Sequence, residues 1–337
     1  MSQALKEVEA YSLFSPHPNI IHSIDHSVIS DKSDAGAKTV YILLPYYRRG
    51  NLQDVINANL VNHTKWPERE LMVLVKGLCK ALKALHQYKV GRNGGLKGAK
   101  SVRMQAVNAD MDAAEEVEEE AHRAPRRKRR NNDMDTEQEP LMDDDVTASQ
   151  VGVAPGQIRA YAHRDIKPGN IMLADDSITP ILMDLGSLAP APTPVTSRAQ
   201  AIAVQEDAAE HCTMPYRAPE LFDVQTDTTI DTKVDIWSVG CTIYACLTGK
   251  SPFEARSDET GGSLAMCILN GDWRFPQDVT GKRGTSKQSG DEADMSEGVK
   301  EVVRQCLQLE PNDRPDVDEL LRLVEETIAQ LPHDELS

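Results

Sequence analysis

Aromatic side chains are scarce in this sequence. The 337 residues include 4 Phe, 3 Trp and 8 Tyr, or 4%, so any core has to be aliphatic, which the 40% hydrophobic content permits. No apolar run approaches the roughly 18 residues that a membrane-crossing helix requires. The six cysteines (Cys79, Cys212, Cys241, Cys246, Cys267, Cys306) show no C-x-x-C spacing. This argues against a disulfide frame or a zinc site and for free or buried thiols in a reducing compartment. Basic residues are in deficit, 37 Lys and Arg against 53 Asp and Glu, for a net charge of −16. A chain so acidic is no general binder of nucleic acid, and at most it favours basic partners. The opening MSQALK lacks the pattern of a secretory signal, and Ser2 stands where myristoylation needs Gly. There is also no G-x-G-x-x-G stretch and no V-A-I-K equivalent.

The informative stretch is Tyr161 to Asn170, YAHRDIKPGN, followed by ILMDLG at Ile181 to Gly186. Asp165 sits two residues from Lys167, and Asn170 and Asp184 are hard oxygen ligands of the kind Mg²⁺ takes. His-Arg-Asp, then Lys, then Asn, then Asp-Leu-Gly resembles, in its order, the catalytic-loop and metal-binding motifs of protein kinases. Further on come Ala218-Pro219-Glu220, Asp235-Ile236-Trp237-Ser238-Val239-Gly240 and Arg314. With these motifs the chain resembles a eukaryotic serine/threonine protein kinase. DLGS in place of DFG, the hinge-like LLPYYRRG and TMPYRAPELF resemble the Numb-associated kinase family, in the fungal form of its lipid-anchored Golgi and vacuole-membrane branch.

The resemblance implies an α+β, bilobal, protein-kinase-like fold with an incomplete small-lobe sheet and a mostly helical large lobe. Residues 1–48 would be the small-lobe remnant and 49–333 the large lobe. It also implies ATP and Mg²⁺ as cofactors and the Ser and Thr hydroxyls of proteins as substrates. Asp165 would accept or orient the hydroxyl proton, and Lys167 would neutralise the moving phosphoryl group. Thr213 would contact both of these residues. Asn170 and Asp184 would hold Mg²⁺. Glu7, on a first helix over residues 2–14, would be the ion-pair glutamate, although Glu9 is close. Leu44 would be the gatekeeper, with Pro45 and Tyr47 facing adenine. Arg164 would be the residue that usually meets an activation-loop phosphate. Attachment to the cytosolic face of Golgi or vacuole membranes would run through a lipidated N-terminal segment.

A glycine-rich loop and its lysine-bearing strand would come before residue 1. The expectation is therefore a truncated chain, impaired as written, with a non-catalytic kinase-shaped scaffold as the alternative. The edges of the remaining strands, Asn19–Ile29 and Thr39–Leu44, would be open and apolar.

Helical spacing predicts a short helix over Asn51–Asn59 and a longer one over Glu68–His86, with Leu71, Leu74, Leu78, Leu82 and Leu85 on one stripe. Another is expected at Ser197–His211, with Ala201, Val204 and Ala208 on one face, and more near Gly262–Leu269, Glu297–Gln308 and Val317–Gln330. Residues 91–158 carry alternating acidic and basic blocks without a period and read as a disordered insertion. Within it Arg126–Arg130 could bind acidic lipid or a nuclear import factor, or simply be a solvated charge block.

Overall fold

The stripe of leucines sets the large half of the molecule. In the computed structural model, which describes residues 2–30, 38–89, 158–276 and 295–332, helix α3 spans Glu68–His86 as the spacing predicts. Leu71, Leu74, Leu78, Leu82 and Leu85 are all buried. Glu68 and Glu70 in its first turn and Lys83 and His86 in its last complement the helix dipole. Before it lies α2, Leu52–Asn62, longer than its predicted span and opened by an Asn51–Asp54 capping box. The insertion predicted for residues 91–158 falls almost wholly outside the described residues.

The centre of the large half is the helix Lys233–Thr248, in which every residue from Val234 to Cys246 is buried. A helix that is apolar all round has to be enclosed on every side, and this one is. Trp237 stacks on Phe253 with 5.2 Å between ring centroids, and the Arg314 guanidinium lies 4.9 Å from the centre of the same indole. Gly240 lets this helix approach Glu297–Cys306 closely, for a Cβ there would sit 2.6 Å from the Cys306 Cβ. The helix Val317–Gln330, capped by Asp316, covers α3. All six cysteines are buried and free.

The smaller half starts with α1, Ser2–Leu13, which buries Val8, Ala10 and Tyr11. Phe14, just beyond it, meets Tyr88 and Tyr161 edge-on at centroid distances of 5.4 and 5.8 Å. These few aromatic rings tie the first helix to strands β3 (Tyr88–Lys89) and β4 (Ile158–Ala162), which pair antiparallel. Strands β1 (Asp25–Ser30) and β2 (Lys38–Leu43) form an antiparallel hairpin with Asp25 opposite Leu43.

The predicted strand Asn19–Ile29 is corrected here: only its second half joins the hairpin. Ile20 and Ile21 are buried, and the backbone around them bonds to Leu182 in both directions at 2.9 Å. β-branched content marks extended chain but does not say which neighbour it will pair with. Ile24, Val28, Ile29, Tyr41 and Leu43 stand exposed, so the hairpin carries the open apolar surface that the sequence led us to expect.

Candidate active site

The segment after β4 turns sharply. His163 is fully buried, and Arg164 adopts φ 70, in the left-handed region that a residue bearing a Cβ rarely occupies without constraint. The constraint is Asp235, in the first turn of the central helix. Its Oδ2 accepts from the His163 backbone N–H at 2.8 Å and its Oδ1 from that of Arg164 at 2.7 Å. His86, at the end of α3, approaches Oδ2 through Nε2 at 2.9 Å. Burial alone would push this carboxyl up. The His86 hydrogen bond, the charge of His86 and His163 and the Arg164 N–H outweigh it and hold the carboxyl below the ordinary carboxylate range. Asp235 is thus no helix cap, a position that Thr232 occupies.

With its turn fixed, the loop presents Asp165. Oδ1 accepts from the Thr213 backbone N–H at 2.9 Å. Oδ2 accepts from Lys167 Nζ at 2.7 Å and from Asn170 Nδ2 at 2.9 Å. Asn170 Nδ2 also reaches the Asp165 carbonyl at 2.9 Å, so its amide nitrogen is committed and Oδ1 is its remaining polar atom. Lys167 Nζ donates to Thr213 Oγ1 at 2.6 Å.

Asp184 follows strand β5 (Pro180–Leu182) and also has a left-handed backbone, at φ 63. It precedes a short 3-10 turn, Leu185–Ser187, in which Leu185 is buried against the core in the place where the family usually has Phe. The turn is tied to the catalytic loop, as Ser187 Oγ donates to the His163 carbonyl at 2.6 Å and the His163 ring meets the Met183 carbonyl at 3.1 Å.

Glu7 approaches from α1. The Tyr11 hydroxyl donates to Glu7 Oε1, and burial followed by this bond raises the Tyr11 phenol well above its usual range. A Cβ on Gly186 would lie 3.3 Å from Asp184 Oδ1 and 3.8 Å from Glu7 Oε2. The glycine therefore leaves a gap between two carboxylates. Glu7, Asp165, Lys167, Asp184 and Thr213 line one cleft of about 390 Å³. Glu9 does not line it, and neither do Leu44, Pro45 and Tyr47; Leu44 and Tyr47 instead pack, half-buried, against the hydrophobic core.

The segment between Asp184 and Thr213 holds the helix Arg198–His211, N-capped by Ser197. Ala201 and Ala208 bury as the spacing predicts, and Val204 is half-buried against the core. Arg164 Nη1 donates to Asp207 Oδ2 at 2.6 Å, so the loop arginine is joined to this helix. Sequence reasoning missed Tyr11, Asp207, Glu210 and His211. Tyr11 lies one turn from Glu7, and that spacing was the available signal. Beyond the cleft, Glu220 and Arg314 form a two-pronged pair at 2.7 and 2.9 Å, and every guanidinium nitrogen of Arg314 donates to an oxygen.

A buried aspartate clamped by Lys, Asn and the N–H of a Thr, beside an Asp-Leu-Gly turn, is the arrangement that protein kinases carry at their active sites. Comparison with known proteins agrees. The protein kinase domain family matches residues 159–323. Serine/threonine-protein kinase ENV7 of Saccharomyces cerevisiae is 33% identical over 97% of this chain and 78% of its own length. Serine/threonine-protein kinase ppk13 of Schizosaccharomyces pombe is 32% identical over 98% of this chain and 79% of its own length. Human serine/threonine-protein kinase 16 is 26% identical over 96% and 76% respectively. The chain belongs to the eukaryotic serine/threonine protein kinases, a family that uses ATP and Mg²⁺ and acts on proteins. Among the described residues, no helix is long and apolar enough to cross a membrane.

Proposed function

We propose that this cleft binds ATP with Mg²⁺ and directs the γ-phosphoryl group to a Ser or Thr hydroxyl of a protein. The observation that carries the reading is the clamp on Asp165, where three donors hold one carboxylate on the wall of a cleft that Asp184 also lines. Among the described residues no three His, Cys, Asp or Glu side chains cluster to hold a metal. Mg²⁺ takes one or two protein oxygens and completes its shell with phosphate and water. Asp184 and Asn170 Oδ1 would hold it, and when bound it would offset charge on the phosphates.

The chain's own residues do the rest by placement and field. Asp165 receives and orients the substrate hydroxyl, taking its proton on a carboxylate oxygen. Lys167 sets a positive charge beside that oxygen, and Thr213 holds both in register. Glu7 adds negative charge opposite Asp184, suited to a cationic partner or to a metal-bound nucleotide. The hinge roles of Leu44, Pro45 and Tyr47 rest on the family resemblance, as does the division into a small half at 1–48 and a large half at 49–333. The same resemblance supports a cytoplasmic site of action at Golgi or vacuole membranes, reached through a lipidated segment.

The test incubates the purified chain with γ-labelled ATP, Mg²⁺ and a Ser/Thr peptide, beside Asp184→Ala. Transfer by the parent and at least a hundredfold less by the variant is the expected result. Equal label from both would overturn the reading.

A further inference from the structure

Resting on that reading, we infer that Glu210 selects the substrate, favouring a Lys or Arg side chain close to the Ser or Thr that receives the phosphoryl group. Glu210 lines the same cleft as Asp165, Lys167 and Thr213, at the last turn of the helix Arg198–His211. Its side chain is 77% exposed, and His211 Nε2, the basic group within 4 Å of it among the described residues, stands 3.9 Å away, too far for a hydrogen bond.

The charges on the substrate side of the cleft, and those just behind it, are engaged within the fold. Lys167 is bound to Asp165 and Thr213. Asp207 is bound to Arg164, and His211 turns its Nδ1 to Asp207. Glu7 and Asp184 face each other across the gap at Gly186, on the side assigned to the nucleotide. Among the described residues, Glu210 is thus the cleft carboxylate that lies away from the nucleotide side and forms no hydrogen bond, and it stands three residues before the threonine whose N–H the catalytic aspartate accepts.

The platform beneath it is stiff. Arg217 Nη2 donates to the Cys212 carbonyl at 2.7 Å and to the Ala209 carbonyl at 3.4 Å, on either side of Glu210. Ala208 is fully buried, and the Arg164–Asp207 pair fixes the preceding turn. A charge on a rigid rim discriminates between partners better than one on a mobile loop, because little ordering is needed when the partner binds. The cleft's excess of carboxylates adds to the attraction for a cationic chain and repels an acidic one.

The test measures binding of labelled Ser peptides to the full chain by fluorescence anisotropy. Three peptides are compared, flanked by Arg and Lys, by Gln and Ala, or by Glu. Glu210→Gln is expected to weaken the basic peptide about threefold to fivefold, the scale of one exposed ion pair, and to leave the neutral peptide unchanged. Glu210→Lys is expected to reverse the order, so that the acidic peptide binds best. A reversal of this kind could not arise from a merely structural role. Matching circular dichroism melts would establish that the variants fold. If both variants rank the peptides as the parent does, the selection is refuted. Anisotropy reads binding rather than turnover. A parent chain that discriminates between peptides yet transfers no label from ATP would refute the catalytic reading and leave the selection intact.

Discussion

Replacing Asp235 with Asn tests whether one buried carboxylate holds the catalytic turn. The carboxylate accepts two backbone N–H groups, those of His163 and Arg164, on different oxygens, and His86 shares Oδ2. An amide of the same shape has one acceptor atom in place of two. If its oxygen faces Arg164, its NH₂ faces the His163 N–H. If it is rotated, its NH₂ faces the Arg164 N–H. Either way a buried backbone donor loses its acceptor, which costs about 1–3 kcal/mol, and the bonds that survive lose their charge assistance. The sum is about 3 kcal/mol, in line with breaking one side of a buried pair.

Urea melts should show the midpoint falling with an unchanged slope, since the surface exposed on unfolding is the same. Activity should fall further than stability, because Arg164 is held at φ 70 by these bonds and Asp165 is the next residue. The carboxyl lies below its ordinary range in the folded chain, so its stabilisation is fully present above the unfolded carboxylate value, near pH ~4. It is lost as pH falls through the lower folded value. The parent and Asp235→Asn curves should therefore differ at neutral pH and converge in strong acid. A variant within about 0.5 kcal/mol of the parent at pH 7, with normal turnover, would refute the argument.

Other outcomes follow from the same coordinates. Arg314→Lys keeps the charge but loses the two-pronged contact with Glu220 and several carbonyl partners, so it should destabilise by about 1–3 kcal/mol, read from denaturant midpoints. Gly240→Ala places a methyl 2.6 Å from the Cys306 Cβ and should cost about 1–3 kcal/mol in the same assay, while Gly261→Ala, with nothing nearby but φ +67, should cost less. The cysteine thiols should resist a thiol reagent in the native state and react together on unfolding. Burial pushes Cys79 and Cys246 up to about 12 and Cys212 up to about 11. Fast native labelling of Cys212 would contradict its placement in the structure.

Several elements were legible before any coordinates. The leucine spacing of Glu68–His86 and the apolar spacing of Val317–Gln330 predicted those helices, since the 3.6-residue period is itself the physical cause of their burial. The alanine face of Arg198–His211 was legible for the same reason. The roles expected of Asp165, Lys167, Asn170 and Asp184 came from the resemblance of their motifs to the family's, and the fold does bring Lys167 and Asn170 onto the Asp165 carboxylate.

What tertiary structure alone decided was pairing. Local pattern could not say that Ile20 and Ile21 would lie against Leu182, because extended chain has unsatisfied N–H and C=O groups that accept any correctly spaced partner. Nor could it say that Glu7, and not Glu9, faces Asp184, since that depends on how α1 is rotated against the turn Leu185–Ser187. Asp207, which meets Arg164 across 43 residues, was equally invisible. The residue types that do chemistry are written in order along the chain. The distances at which charges meet are set by packing, because a charge acts through space on whatever the fold brings near it.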